Sequence, residues 1–129
     1  MEEVSGVALV QSLRGQYHHG INFLLVGPER ATEAALQQLS LLFGGPTETC
    51  VLPGPLQLPP AGCAALILRN VGALDGDQQE ELSHWLEHGP RVSVVSMNPS
   101  SVFDLVANGE FDDRLYYRLN MVLEEAATT

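Results

Sequence analysis

The sequence predicts a single α/β domain, a three-layer sandwich in which helices cover both faces of a mostly parallel sheet. Three short apolar runs lead to this prediction: INFLLV at 21–26, CAALIL at 63–68 and VSVVSM at 92–97. Continuous apolar runs are typical of strands that are covered on both faces. The segments between these runs have helical periodicity, and strands that alternate with helices favour a parallel sheet. With 129 residues and no internal repeat, the chain is expected to form one domain, 1–129.

The remaining elements follow from periodicity, capping residues and glycine stops. Helices are predicted at 4–17, 30–42, 75–89, 100–109 and 111–119, with a loop at 18–20 after the first. The helix at 30–42 is expected to bury one apolar side, formed by Ala34, Ala35, Leu36, Leu39, Leu42 and Phe43. The helix at 75–89 is expected to bury a stripe of Leu82, Trp85 and Leu86, with a partner surface as the second interpretation.

Two weaker strands are predicted at 47–52 and 120–125. Between the first of them and the run at 63–68 lies PGPLQLPP, residues 53–60, where four prolines in eight residues exclude regular structure. This segment is interpreted as a stiff connector, or as a ligand for an aromatic groove. Cys50 and Cys63 are expected to be free thiols, because no metal-ligand spacing accompanies them.

The charge restricts the classes of partner. The chain has 16 acidic and six basic residues, a net charge of −10, and all six basic residues are arginine. A strongly acidic chain repels nucleic acid and anionic membranes, and it favours a basic protein partner. The acidic start and the lack of an 18-residue apolar run predict a cytoplasmic protein without a membrane span.

The stretch VGPERATEA, residues 26–34, raises the question of a phosphate site. It joins a strand to a helix, the setting in which backbone N–H groups and a lysine cradle phosphate. This turn has one glycine, Gly27, with Arg30 beside it and Glu33 where a phosphate-binding loop has lysine.

Four collinear segments resemble the AAA+ ATPase domain of the sigma-54 activators, the bacterial enhancer-binding proteins. VANGEFDDRLYYRLNMV at 106–122 is similar to their EGRFREDLYYRLNVV segment. The other three similar segments are INFLLVGPERATEAALQQLS, LDGDQQEELSHWLEHG and SVVSMNPSS. The resemblance runs from Ile21 to Leu123 and implies a P-loop NTPase-like core, in a degenerate and truncated form.

The resemblance implies that both nucleotide motifs are degenerate. Gly27 is the one Walker A glycine that remains. Arg30 and Thr32 take the places of the others, and Glu33 takes the place of the lysine. Where the Walker B strand has Asp-Glu for magnesium and the attacking water, this chain has Arg69 and Asn70. We therefore expect no ATP hydrolysis, no cofactor and no metal.

Other family positions are carried over one by one. Asn98 falls on the sensor position, with a strand-end cap as its structural interpretation. The two arginines offered to a neighbouring subunit correspond to Asp112 and Arg118. Arg118 is expected to be either a surface residue or an ion-paired one, with Asp113 or Glu110 as the partner. Tyr116 and Tyr117 are expected to lie in the core.

The resemblance also implies missing parts. The Pro-rich loop at 53–60 replaces the insertion that contacts sigma-54. The chain ends soon after LNMVLEE, so a helical lid, a receiver domain and a DNA-binding domain are not expected.

Three functions follow as hypotheses. The first is a pseudo-ATPase that binds and regulates another protein, as a monomer or small oligomer. Three surfaces are open for this binding: the former intersubunit face with Asp112, Arg114 and Arg118, the Pro-rich loop, and the exposed side of the 75–88 helix. The second is a modulator that inserts into the ring of a sigma-54 activator. The third is a residual nucleotide binder that uses Arg30, Thr32, Asn98 and Arg118.

His84 and His88 share one helix face, but a solvated face is favoured over a metal site.

Overall fold

The computed structural model describes residues 20–126, so the predicted helix at 4–17 lies outside the described residues. The described part is an α/β fold around one five-stranded sheet with the order β2-β3-β4-β1-β5, and every strand pair is parallel. The strands are β1 (Phe23–Val26), β2 (Thr47–Val51), β3 (Ala65–Arg69), β4 (Ser93–Asn98) and β5 (Val122–Glu125). The predicted fold class is therefore confirmed.

Four α-helices and one short 3₁₀ helix connect the strands. They are α1 (Glu29–Ser40), α2 (Gly76–His88), α3 (Val102–Ala107), α4 (Asp113–Leu119) and the 3₁₀ helix Val71–Ala73. Helix α2 begins with a capping box, in which the Asp75 side chain accepts from the Gln78 backbone N–H and the Gln78 side chain accepts from the Asp75 backbone N–H. No helix among residues 20–126 is long and apolar enough to cross a bilayer.

Alternation along the strands divides the core into two clusters, one on each face of the sheet. On β1, Leu24 packs in one cluster, whereas Phe23 and Leu25 pack in the other. The first cluster includes residues of α2, α3 and α4, such as Leu82, which is fully buried. The second cluster receives the later turns of α1 through Leu36 and Leu39. Coverage on both faces explains why the strand sequences are continuously apolar.

Several details of the predicted helices are wrong. Helix α1 begins at Glu29, and its buried residues include Ala31 and Thr32, whereas Ala34 is exposed. Tyr116 is buried, but Tyr117 is 63% exposed, because adjacent helical residues point to different sides.

Helix α3 is also shorter than the helix predicted at 100–109. It spans Val102–Ala107, and the side chain of Ser101, at its N-cap position, makes no capping hydrogen bond. The sequence SSVFDLVANG at 100–109 predicts a serine cap for this helix, and the capping hydrogen bond of that prediction is not formed.

The parallel topology brings three strand ends together at one edge of the sheet. In the register, Val26 of β1 lies opposite Asn98 of β4, and Arg69 of β3 lies opposite Met97. The residues singled out in the sequence as degenerate nucleotide positions therefore lie at the carboxyl edge, where open α/β sheets place their ligand sites.

Candidate functional site

A cleft of about 360 Å³ lies at the carboxyl edge of the sheet. Its walls come from the β1–α1 turn and the start of α1, the ends of β2, β3 and β4, and the residues that follow these strands. The lining residues are Gly27, Glu29, Thr32, Val51, Leu52, Arg69, Asn70, Met97, Asn98 and Pro99. The cleft therefore brings together the Walker A, Walker B and sensor positions that the sequence resemblance identified.

The turn from β1 to α1 is too short to wrap a phosphate group. It consists of Gly27 and Pro28, since β1 ends at Val26 and α1 begins at Glu29. The Gly27 N–H donates to the Asn98 carbonyl oxygen (3.0 Å), and Pro28 has no N–H. The N–H groups of Ala31 and Thr32 donate to the Pro28 carbonyl oxygen, at 2.9 and 3.0 Å. These bonds leave only the N–H groups of Glu29 and Arg30 in the turn and first helical residues, rather than a run of converging donors.

Gly27 has a structural reason to be glycine. Its φ of +147° is one that L side chains rarely adopt, and a Cβ there would lie 2.2 Å from the Ala126 carbonyl oxygen. The Ala126 N–H also donates to the Val26 carbonyl oxygen (2.7 Å). The close approach of the chain after β5 therefore accounts for the glycine without a ligand.

Arg69, which lines the cleft, forms a two-pronged ion pair with Glu33 of α1. Arg69 Nη1 donates to Glu33 Oε1 at 2.6 Å, and Arg69 Nη2 donates to Glu33 Oε2 at 2.9 Å. The Glu33 side chain is 37% exposed and the Arg69 side chain is 31% exposed. These hydrogen bonds, with the charge attraction, lower the pKa of Glu33 and raise the pKa of Arg69 against the opposing effect of burial.

Sequence reasoning placed Glu33 and Arg69 at the lysine and aspartate positions but did not predict their contact. The structure joins the two positions directly, with the charges of the lysine and the aspartate exchanged. A signal for the contact is present in the sequence, because both positions belong to one site and the charge at each is opposite to that of the family residue.

The other Walker-position residues are also engaged or turned away. The Thr32 hydroxyl is buried and donates to the Glu29 carbonyl oxygen at 3.1 Å, within its own helix. Asn70 has left-handed backbone geometry (φ 62°), and its Nδ2 donates to the Leu52 carbonyl oxygen at 3.0 Å. Arg30 is exposed and takes part in neither of the ion pairs found among residues 20–126.

Asn98 has hydrogen-bond partners at both ends of its amide. It is 5% exposed; Oδ1 accepts from the Gly72 N–H at 2.8 Å, and Nδ2 donates to the Ser100 carbonyl oxygen at 2.8 Å. These bonds hold the 3₁₀ helix after β3 against the turn after β4. The geometry supports the interpretation of Asn98 as a strand-end cap.

The predicted partner residues Asp112, Arg114 and Arg118 do not line this cleft. Asp112 caps α4, since its Oδ2 accepts from the Leu115 N–H at 2.9 Å. Asp112 and Arg114 line a separate groove of about 820 Å³ between the start of α2 and the start of α4. Arg118 pairs with Glu87 at 3.6 Å, so the predicted pairing with Asp113 or Glu110 is wrong; the partner comes from α2, across the helix packing.

The histidine pair on α2 has no metal-binding set around it. The ring centroids of His84 and His88 are 4.4 Å apart on an exposed face. Across residues 20–126, no group of three or more His, Cys, Asp or Glu side chains is placed to hold a metal ion. Cys50 is buried, Cys63 is half-buried, and both thiols are free.

No protein-family model matches the chain, and no curated protein sequence matches it. Solved structures do match. The chain aligns with NtrX from Brucella abortus in complex with ATP at a TM-score of 0.67 and 17% identity, over 97% of this chain and 38% of NtrX. The chain therefore spans well under half the length of NtrX.

A second solved structure is similar over its full length. The P-loop NTPase domain of the sigma-54 transport activator from E. coli aligns at a TM-score of 0.67 and 15% identity, over 99% of both chains. The described chain thus has the P-loop NTPase fold of sigma-54 activators, and the resemblance inferred from the sequence is confirmed for the fold.

Proposed function

We propose that this chain is a pseudo-ATPase domain that binds and regulates another protein, or serves as its scaffold, without catalysing ATP hydrolysis. One observation carries the proposal: the Glu33–Arg69 ion pair joins the two positions at which an ATPase holds phosphate and magnesium. The chain is proposed to act in the cytoplasm as a monomer or small oligomer, with no cofactor and no nucleic-acid or membrane partner.

The sign of the charges opposes a Mg-nucleotide. A polyphosphate at this turn meets the Glu33 carboxylate instead of an ammonium group. Arg69 cannot ligate magnesium, and its guanidinium already donates two hydrogen bonds to Glu33.

Protein binding is favoured by the composition of the surface. The net charge is −10, which suits a basic partner. Large apolar side chains are also exposed, including Phe103 (51%), Tyr117 (63%) and Met121 (56%). Exposed aromatic and methionine side chains beside arginine are enriched at protein interfaces.

Two measurements on one preparation test the proposal. Phosphate release from Mg-ATP should not exceed that of a buffer control. The tagged protein, isolated from its host lysate with and without Mg-ATP, should retain one stoichiometric partner under both conditions. ATP turnover that rises with protein concentration would contradict the non-catalytic part, and association that requires ATP would show that the cleft still serves nucleotide.

A second candidate is a modulator that joins the ring of an active sigma-54 activator. The exposed Tyr117 and Arg118 of α4 favour it, because they belong to the most family-like segment of the sequence. Adding the chain to an active relative should lower that relative's ATPase rate, and Y117A/R118A should lower it less. An unchanged rate at excess chain would remove this candidate.

A further inference from the structure

We propose that the Glu33–Arg69 pair is a ligand-independent latch, which holds the first turns of α1 to the central sheet in place of a bound Mg-nucleotide. The inference rests on the proposed function, because it takes the cleft to work without nucleotide. It adds a specific role for two residues that the loss of ATPase activity alone does not require.

The apolar packing of α1 is uneven along its length. Its later turns enter the core through Leu36 and Leu39, which are 7% and 0% exposed. Its first turns bury only Ala31 and Thr32, which have small side chains. The start of α1 therefore has little apolar anchorage, and the ion pair is its side-chain link to β3.

The geometry of the Glu33–Arg69 pair differs from that of a weak surface ion pair. Both guanidinium nitrogens meet both carboxylate oxygens, at 2.6 and 2.9 Å, and such two-pronged pairs are stronger and more directional than single contacts. The surface pair Arg118–Glu87 has one contact at 3.6 Å, and its side chains are 41% and 55% exposed. Arg118–Glu87 is therefore a matched control within the same chain.

One other charged residue, Glu29, is a substitute for Glu33 as the partner of Arg69. Glu29, in the first turn of α1, is the other titratable residue that lines the cleft, and its charge also acts on Arg69. The remaining lining residues carry no charge. Removal of Glu33 alone leaves Glu29 able to attract Arg69, so the test includes E29Q/E33Q beside E33Q.

The experiment is a double-mutant cycle on the whole chain without nucleotide. E33Q, R69M and E33Q/R69M are unfolded in urea, and amide hydrogen exchange is measured at low salt. The latch predicts that E33Q speeds exchange about fivefold in residues 31–34 and 69–73, the ratio that matches the upper range for partly exposed ion pairs. E29Q/E33Q should speed it further, E87Q should leave these residues unchanged, and the double variant should be no less stable than R69M.

Charge reversal keeps the test decisive if R69M does not fold. E33R should speed exchange in the same residues, because it places two guanidinium groups together, and E33R/R69E should restore most of the protection. Additive effects in the cycle, or unchanged exchange in E33Q, would overturn the latch. Since no nucleotide is present, that result would leave the proposed function standing, whereas ATP turnover by the unaltered chain would contradict the proposed function whatever the cycle shows.

Discussion

Replacement of Asn98 by alanine should destabilise the fold. The sensor position of the family carries here a side chain that is 5% exposed, with two hydrogen bonds of 2.8 Å. Each such bond contributes about 1 kcal/mol net, and loss of the amide leaves the Gly72 N–H without its partner. We expect N98A to lose about 2 kcal/mol of unfolding free energy.

Urea unfolding followed by circular dichroism measures this loss. With a slope of about 2 kcal/mol per molar urea, typical of small domains, the midpoint should fall by about 1 M at an unchanged slope. The exposed Asn108, at the end of α3, gives the matched control N108A, for which we expect a change below about 0.5 kcal/mol. A midpoint for N98A within error of the unaltered chain would refute the structural role assigned to Asn98.

Four further predictions concern the site and the core. Gly27→Ala should cost about 2 kcal/mol or more in thermal or urea unfolding, because φ is +147° and the new Cβ meets the Ala126 carbonyl oxygen; an unchanged Tm would contradict the close approach. The pKa of Glu33 is lowered on folding, so its stabilising contribution is present above its unfolded pKa and is lost as pH falls through the folded value. Between about pH 5 and pH 3 the unaltered chain should therefore lose more stability than E33Q, and parallel pH profiles would count against the pair. E33K/R69D returns the family charges but should show no ATPase above buffer, because the turn and first helical residues still offer only the Glu29 and Arg30 N–H groups and no converging run of donors; measurable turnover would mean that charge alone excluded nucleotide. Ser96→Ala should raise the unfolding free energy by about 1 kcal/mol, because its buried hydroxyl has no hydrogen-bond partner among residues 20–126, and a loss of similar size would show that the hydroxyl is bonded.

The strands and the sheet could be predicted because their signal is local. Strands covered on both faces need continuous apolar runs, and β3 and β4 lie within CAALILR and VSVVSMN. The Gly27 turn and the strand ends at Arg69 and Asn98 then follow from parallel topology, which places carboxyl ends on one edge. The location of the cleft was thus readable from sequence.

The side-chain and backbone contacts around the cleft were not predicted from the sequence, because they join residues that are far apart in the chain. Glu33 and Arg69 are 36 positions apart, and each was interpreted only against the family residue that it replaces. Gly27 was interpreted as a remnant of a phosphate loop, but its neighbour Ala126 is supplied by the chain that follows β5.

The measurement that tests the central claim most directly is an amide ¹H–¹⁵N NMR titration of the whole chain with Mg-ATP at constant ionic strength. The Gly27 N–H and the side chains of Glu33, Arg69 and Asn98 already have partners within the protein. The account predicts no saturable shift changes at residues 27–33, 69–72 and 98–100 up to millimolar nucleotide. Saturable shifts confined to those residues would contradict it, because they would show that the ion pair opens to admit a nucleotide.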